Sequence, residues 1–389
     1  MTKAILISYL SLVFITTGTC QNSFVQNVAQ TLSKQILLDA NQALKTEPKT
    51  VTHYTCERSQ GGKHDFFSEG DYWWLDSLHP NGPYIQRDGL TNPQNFTAHR
   101  LAMIRFSKTV GTLTSAYLLT KNVKYSAAAI KHLKAWFIDT ATLMNPSLLY
   151  GQAITRKVSG RGIGIIDMIQ MLEVAQSVAV LEKQKQINTT TLKVIKKWFS
   201  NYLTWVTTHP YGIEEREAKN NHGTCWTMQV AVFAKLVGDT SLIQYCTKRY
   251  KEVLLPSQMA SDGSFPLELK RTKPYGYSLF NLDAMSTIAF VLSNKKENLF
   301  NYIGKGDVGI RKGVEFIFPF ITNKTSWPYT KDVMYWNEWP IAQCFLLFAA
   351  NAYNNKEWYN TWEKLEHFPS NEEVIRNTPI RNPLIWVNN

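Results

Sequence analysis

Apolar residues recur at helical spacing through most of the chain. In Leu192, Ile195, Phe199, Tyr202 and Val206, steps of three and four place every apolar side chain on one face of a helix. Ile165, Met168, Ile169, Leu172 and Ala175 repeat the pattern, as do Leu282, Met285, Ala289 and Leu292. A first helix is expected from about Phe24 to Thr46, and helical periodicity dominates from Thr97 onward. Turns such as Gly238-Asp239, Ser261-Asp262-Gly263 and Trp327-Pro328 divide the chain into roughly ten to twelve helical segments. No run of alternating β-branched residues argues for strands. From residue 50 to 95 the periodicity lapses into a polar, aromatic-rich stretch with Pro80, Pro83 and Pro93, expected to form irregular loops that line a cleft. The predicted fold is all-α, one large domain over residues 21–389. Helix hairpins in series bury their stripes by curving into an α/α toroid, a closed or incomplete double ring.

The first twenty residues follow a different plan. Lys3, an apolar run from Ala4 to Ile15, and the small or hydroxylated Thr16, Thr17, Gly18 and Thr19 read as a signal peptide over residues 1–20. That run is too short for a permanent membrane span, and no later uninterrupted apolar stretch of spanning length is expected. The mature protein is therefore expected to be exported, periplasmic or extracellular. Thr17-Gly18-Thr19-Cys20 partly resembles a lipoprotein box without its leading aliphatic residue, which makes Cys20 a candidate lipid anchor. The irregular spacing of Cys56, Cys225, Cys246 and Cys344 implies no disulfide framework. His53, Cys56, His64 and His79 match no zinc spacing, so neither a metal nor another cofactor is expected.

Charge narrows the partner. Lys and Arg outnumber Asp and Glu by 42 to 30, which favours a polyanion. Nucleic acid and acidic polysaccharide both fit that sign. The chain lacks a basic tail and any zinc-finger or RNA-binding signature, and an exported protein seldom meets nucleic acid, so acidic polysaccharide is the expected partner. Twelve Trp, 18 Tyr and 19 Phe add aromatic faces on which sugar rings stack, although most such rings belong to the core. Nothing in the composition sets an oligomeric state.

Three segments carry candidate chemistry. Asn220-Asn221-His222-Gly223-Thr224-Cys225-Trp226 precedes an apolar helix, so an amide donor and an imidazole at its start can face one cleft. Glu268-Leu269-Lys270-Arg271-Thr272-Lys273-Pro274-Tyr275-Gly276-Tyr277-Ser278 groups three cations with two tyrosines; its bland reading is a solvated charged loop. Asp71-Tyr72-Trp73-Trp74 and Pro83-Tyr84-Ile85-Gln86-Arg87-Asp88-Gly89, with Gln152 and Arg161 further on, suggest a sugar-binding wall or a loop packed by its own aromatics.

Asn-Asn-His-Gly-x-x-Trp, then Glu-Leu-x-Arg and a Tyr, resembles the alginate lyase superfamily of α/α-toroid enzymes. The Asn-His and Arg-to-Tyr elements are similar to polysaccharide lyase family five. The wider pattern from Asp71 to Tyr277 looks closer to family thirty-eight. The resemblance implies β-elimination on a uronate polymer, alginate first and glucuronan next. It places the family's neutralising Asn on Asn221, its His on His222, its Arg on Arg271 and its catalytic Tyr on Tyr277. Family five has a His after that tyrosine and one more residue between Arg and Tyr, whereas this chain has Ser278; Tyr275 is the alternative. Asn220, Trp226, Tyr84, Arg87, Gln152, Arg161, Lys273 and Tyr275 are expected to bind substrate.

The residue types suit the chemistry. Removing the C5 proton of a uronate builds negative charge beside a carboxylate, and Asn221 and Arg271 are natural donors to it. An imidazole titrates near neutral pH and serves as a base. Nearby Lys270, Arg271 and Lys273 are expected to favour the Tyr277 phenolate, so the tyrosine is a candidate base as well as the acid for the leaving oxygen. The rivals are a hydrolase using two of Asp71, Asp76, Asp88, Glu268 and Glu338, and a noncatalytic acidic-glycan binder.

Overall fold

The computed structural model describes residues 19–388, with side-chain surroundings from Ser23 onward. The predicted leader up to residue 18, and the side chain of Cys20, lie outside the described residues. Helix α1 spans Thr19–Ala43, close to the expected first helix. It is followed by α2 (Ala98–Thr120), α3 (Val123–Phe137), α4 (Met171–Lys183) and α5 (Thr189–Thr208). Then come α6 (Pro210–Glu217), α7 (Asn221–Val237), α8 (Thr240–Arg249) and the short α9 (Leu255–Gln258) and α10 (Pro266–Leu269). The last six are α11 (Pro274–Leu292), α12 (Ile310–Thr322), α13 (Cys344–Ala352), α14 (Lys356–Lys364), α15 (Glu372–Arg376) and α16 (Leu384–Val387).

The hydrophobic patterns explain two layers. α5 starts at Asn188, whose side chain accepts the Thr191 N–H at 2.8 Å, and it buries one stripe of Ile195, Trp198, Phe199, Tyr202 and Val206. A one-sided helix of this kind belongs on the outside of a ring. By contrast α7, α11 and α13 are buried on nearly every face, the mark of inner helices. Inner helices follow in the order α2, α4, α7, α11, α13, each packed on the next, with α1, α3, α5, α8, α12 and α14 outside them. Phe24 of α1 meets Tyr359 of α14 with ring centroids 5.8 Å apart, which brings the ends of the outer layer together, and α16 packs on α1, α2 and α4. This is the α/α toroid. Gly162–Lys183, where a 3-10 stretch runs into α4, is long and apolar enough to cross a membrane, contrary to expectation, but it is a buried core element of the ring.

The stretch expected to be irregular contains short strands. β1 (Phe67–Glu69) pairs in parallel with β4 (Tyr150–Ala153), and β2 (Trp73–Trp74) pairs antiparallel with β3 (Ile85–Gln86). Segments of two to four residues are too short to show a period of two. The two pairings fix the loops over one end of the ring.

One buried acid links two inner helices. Asp283 of α11 is 2% exposed and accepts the Phe345 N–H at 2.7 Å, so it caps α13, where Gln343 provides no side-chain cap. Burial pushes its carboxyl up to about 7, whereas an unfolded aspartate titrates near 3.9. A carboxyl raised on folding contributes stability below its unfolded value and loses it as pH rises through the folded one. Asp283→Asn keeps an acceptor for the cap and removes the titration. It should therefore melt progressively higher than the wild type as pH rises from about 4 to about 7; calorimetry across that window checks this, and a pH-independent difference would refute it.

Candidate active site

The cleft opens where the β2–β3 hairpin, the 3-10 stretch at Gly162, α15 and the first turns of α7 and α11 converge. Asn221, His222, Arg271, Tyr277, Gln152 and Arg161 all line it. Two inner helices begin there, and the positive ends of their dipoles favour negative charge. Both starts are anchored by carboxylates from elsewhere. Glu268 accepts the Asn221 backbone N–H at 2.7 Å and its side-chain amide at 2.9 Å. Asp332 accepts the Tyr275 and Gly276 N–H groups, each at 2.9 Å.

His222 is aimed from behind. Its Nδ1 lies 2.8 Å from Oε1 of Glu215, which is fully buried in α6; a carboxylate acceptor at that place favours the tautomer with the proton on Nδ1 and the lone pair on Nε2. Gly223 makes this approach feasible, because a Cβ there would stand 2.2 Å from the Ala218 carbonyl oxygen and push α6 from α7. Burial pushes the Glu215 carboxyl up, and His222 opposes that shift.

Tyr277 shares a hydroxyl hydrogen bond of 2.8 Å with Tyr72. Burial pushes its phenol well above the ordinary tyrosine range, reinforced by Tyr72, while Lys273 and Arg271 pull the other way. The cations that were expected to favour a phenolate are thus outweighed by the cost of desolvating the anion, which favours the protonated phenol. Arg271 lies 4.6 Å over the Tyr277 ring and binds Asp88 through Nη2 at 2.9 Å and Nε at 3.3 Å. Nη1 remains available. Gly89, at φ +76°, holds the Asp88 loop against Thr272, where a Cβ would come within 2.4 Å of Oγ1.

The opposite wall is built on Gln152, whose φ of +47° is left-handed, a cost of about 1–2 kcal/mol for a residue with a Cβ. Its carbonyl accepts Arg161 Nε at 2.9 Å and its side-chain oxygen accepts Nη2 at 3.2 Å. Arg161 also lies over the Trp73 ring at 5.6 Å and has no carboxylate within ion-pair distance among the described residues. A half-buried, unneutralised guanidinium is a strong recognition point for a carboxylate. No cluster of three or more His, Cys, Asp or Glu side chains suited to a metal occurs among the described residues.

Residues 50–327 match the family model described as alginate lyase. The chain belongs to the alginate lyase family. Its fold is similar to the crystal structure of an alginate lyase from Bacteroides ovatus, with 31% identity and a TM-score of 0.80 over 94% of this chain and 97% of that one. It is also similar to alginate lyase A1-III from Sphingomonas species A1, with 15% identity and a TM-score of 0.56 over 87% of this chain and 88% of that one. A histidine-to-alanine variant of A1-III complexed with tetrasaccharide gives 15% identity and a TM-score of 0.55 over 86% of this chain and 88% of that one. No curated protein matches.

In this member of the alginate lyase family several expected substrate contacts lie elsewhere. Trp226 is 1% exposed and donates to the Val206 carbonyl, so it packs α7 onto α5. Tyr275 is buried against Trp327 and Trp336, with its hydroxyl donating to the Phe320 carbonyl at 3.0 Å, which removes it as an alternative to Tyr277. Lys273 is buried and paired with Glu373 at 3.0 Å. Asn220 caps α7 through the His222 N–H. Tyr84 and Arg87 sit outside the cleft lining; Arg87 covers the Trp74 ring at 5.5 Å, and Gln86 and Asp88 face the cleft instead.

Glu215, Tyr72, Arg376 and Asn377 were not singled out as site residues from the sequence. Tyr72 stood in the quoted aromatic motif, whereas Glu215 lay in an unremarked acidic helix. Glu215→Gln exchanges a charged acceptor for a neutral one and loses the fixed imidazole orientation. A turnover loss of about 10- to 100-fold is expected, the range of a charge-assisted hydrogen bond. Steady-state kinetics beside a melting curve check it; unchanged kcat would show that Glu215 only packs.

Proposed function

We propose that this protein cleaves 1,4-linked uronate polymers, alginate foremost and glucuronan next, by β-elimination that leaves a 4,5-unsaturated uronate end. The observation that carries the reading is the convergence of Asn221, His222, Arg271 and Tyr277 on one cleft in an alginate lyase family chain. Asn221 and Arg271 neutralise the carboxylate of the uronate that loses its proton, the amide as a fixed dipole and the guanidinium as a fixed charge. The C5–H bond breaks to a base, the electron pair forms the C4–C5 double bond, and the C4–O4 bond breaks as Tyr277 gives its proton to O4. His222 Nε2 takes the C5 proton from one face of the ring; from the other face Tyr277, after losing its phenol proton to solvent, takes the C5 proton as a phenolate and passes that same proton to O4, so mannuronate and guluronate use different bases.

A hydrolase is less well supported. The carboxylates in the lining are Asp71 and Asp88. Asp71 is engaged by Arg100 at 2.6 Å and Arg376 at 3.0 Å, and Asp88 by Arg271 and Thr272. Neither is free to act as an acid–base pair. The leader-like first twenty residues support export to the periplasm or beyond, with Cys20 as a lipid-attachment candidate. The deciding experiment follows near-ultraviolet absorbance while the purified protein is incubated with separate alginate blocks and glucuronan. New reducing ends without that absorbance would establish hydrolysis, and binding with no new ends a capture protein.

A further inference from the structure

Behind the tyrosines runs a buried row of alternating charges. Lys273 bonds Glu373 at 3.0 Å, Glu373 bonds Arg376 at 2.8 Å, and Arg376 bonds Asp71 at 3.0 Å. Asp71 then bonds Arg100 at 2.6 Å, and Arg100 lies 3.5 Å from Asp167. Three cations alternate with three anions, so the row is neutral as a whole but has a cation at one end and an anion at the other. The cationic end stands at the reacting group. Lys273 Nζ lies 5.0 Å from the Tyr72 ring, 5.5 Å from the Tyr277 ring and 5.2 Å from the Tyr335 ring, with Lys273 itself 5% exposed. A buried charge is screened little by solvent, so its field on the tyrosine pair is strong.

We propose that Lys273, clamped by Glu373, is a positioning residue that stabilises negative charge on Tyr277 while the tyrosine exchanges protons with the substrate. This rests on the reading of Tyr277 as the proton-transfer group. Arg271 lies nearer the Tyr277 ring, at 4.6 Å, but it is shared between Asp88 and the substrate carboxylate, whereas Lys273 faces the tyrosines from behind the cleft. The other ionisable groups around the pair are Glu373 and Arg376 from α15, Asp71 beside Tyr72, Asp332 and Tyr335 around Lys273, and His222, Arg161 and Asp88 in the cleft.

The test is the pH dependence of kcat on each uronate polymer that the enzyme cleaves. Lys273→Met should move the limb on which Tyr277 ionises to higher pH by about one to two units on at least one polymer, with a ten- to hundredfold loss at neutral pH that alkali restores. Lys273→Arg should keep the wild-type limb. Glu373→Gln leaves the cation and removes an anion, so its limb should move to lower pH; this opposite sign decides the matter even if Lys273→Met does not fold. Loss by one factor at every pH, no loss, or shifts of the same sign in both neutralising variants would overturn the proposal. Tyr277→Phe separates the two readings: if it retains turnover, the role of Tyr277 fails, whereas an inactive Tyr277→Phe beside pH-flat Lys273 variants sinks only the role of Lys273.

Discussion

Tyr277→Phe should reduce formation of unsaturated product by about 10²- to 10⁴-fold on every uronate polymer, the range expected when a positioned proton-transfer group is removed. The change deletes one oxygen atom, whose protein partner is the Tyr72 hydroxyl at 2.8 Å. Ring packing beneath Arg271 is retained, so the melting temperature should shift little and substrate affinity should survive. The loss should therefore appear in kcat rather than KM, as befits an interaction realised in the transition state. Tyr72→Phe removes the partner and keeps Tyr277; a far smaller loss in that variant would show that the reacting hydroxyl belongs to Tyr277. Near-normal turnover by Tyr277→Phe would end this assignment.

His222→Ala should divide the substrates. If Nε2 removes the C5 proton from one face and Tyr277 from the other, turnover on one alginate block type falls by about 10²- to 10⁴-fold while the other loses far less. Blocks enriched in mannuronate or guluronate, assayed side by side, give the comparison. An equal loss on both would make His222 a carboxylate or ring-orienting group instead. The substitution also leaves Glu215 buried without its partner, at a cost on the order of 1–3 kcal/mol to stability. A melting curve must therefore accompany the kinetics.

Much of this arrangement was legible in the residues. The three- and four-residue steps of α5 and α11 located those helices, and Asn220-Asn221-His222 marked a helix start facing a cleft. Side-chain direction was not legible. Trp226, Lys273 and Tyr275 share motifs with cleft residues, but a one-residue step along a helix turns a side chain by about 100° and can send it into the core. Glu215 escaped notice because its contact with His222 crosses the turn between α6 and α7, which periodicity does not report. Arg376 and Asn377 follow Tyr277 by about a hundred residues at the end of a short helix with no distinguishing pattern, and only ring closure brings them to the cleft. The outcome for the Tyr277 hydroxyl turned on a balance of magnitudes: the cations are visible in the sequence, the desolvation that outweighs them is not.

The position of α15 has a consequence for thermal inactivation. Glu373 and Arg376 reach the reaction centre from a helix of five residues. When that helix opens, Lys273 loses the carboxylate that holds it and Asp71 loses one of its two guanidinium partners. Short elements open locally at lower cost than the packed core, so on heating the activity should fade while the ring is still folded.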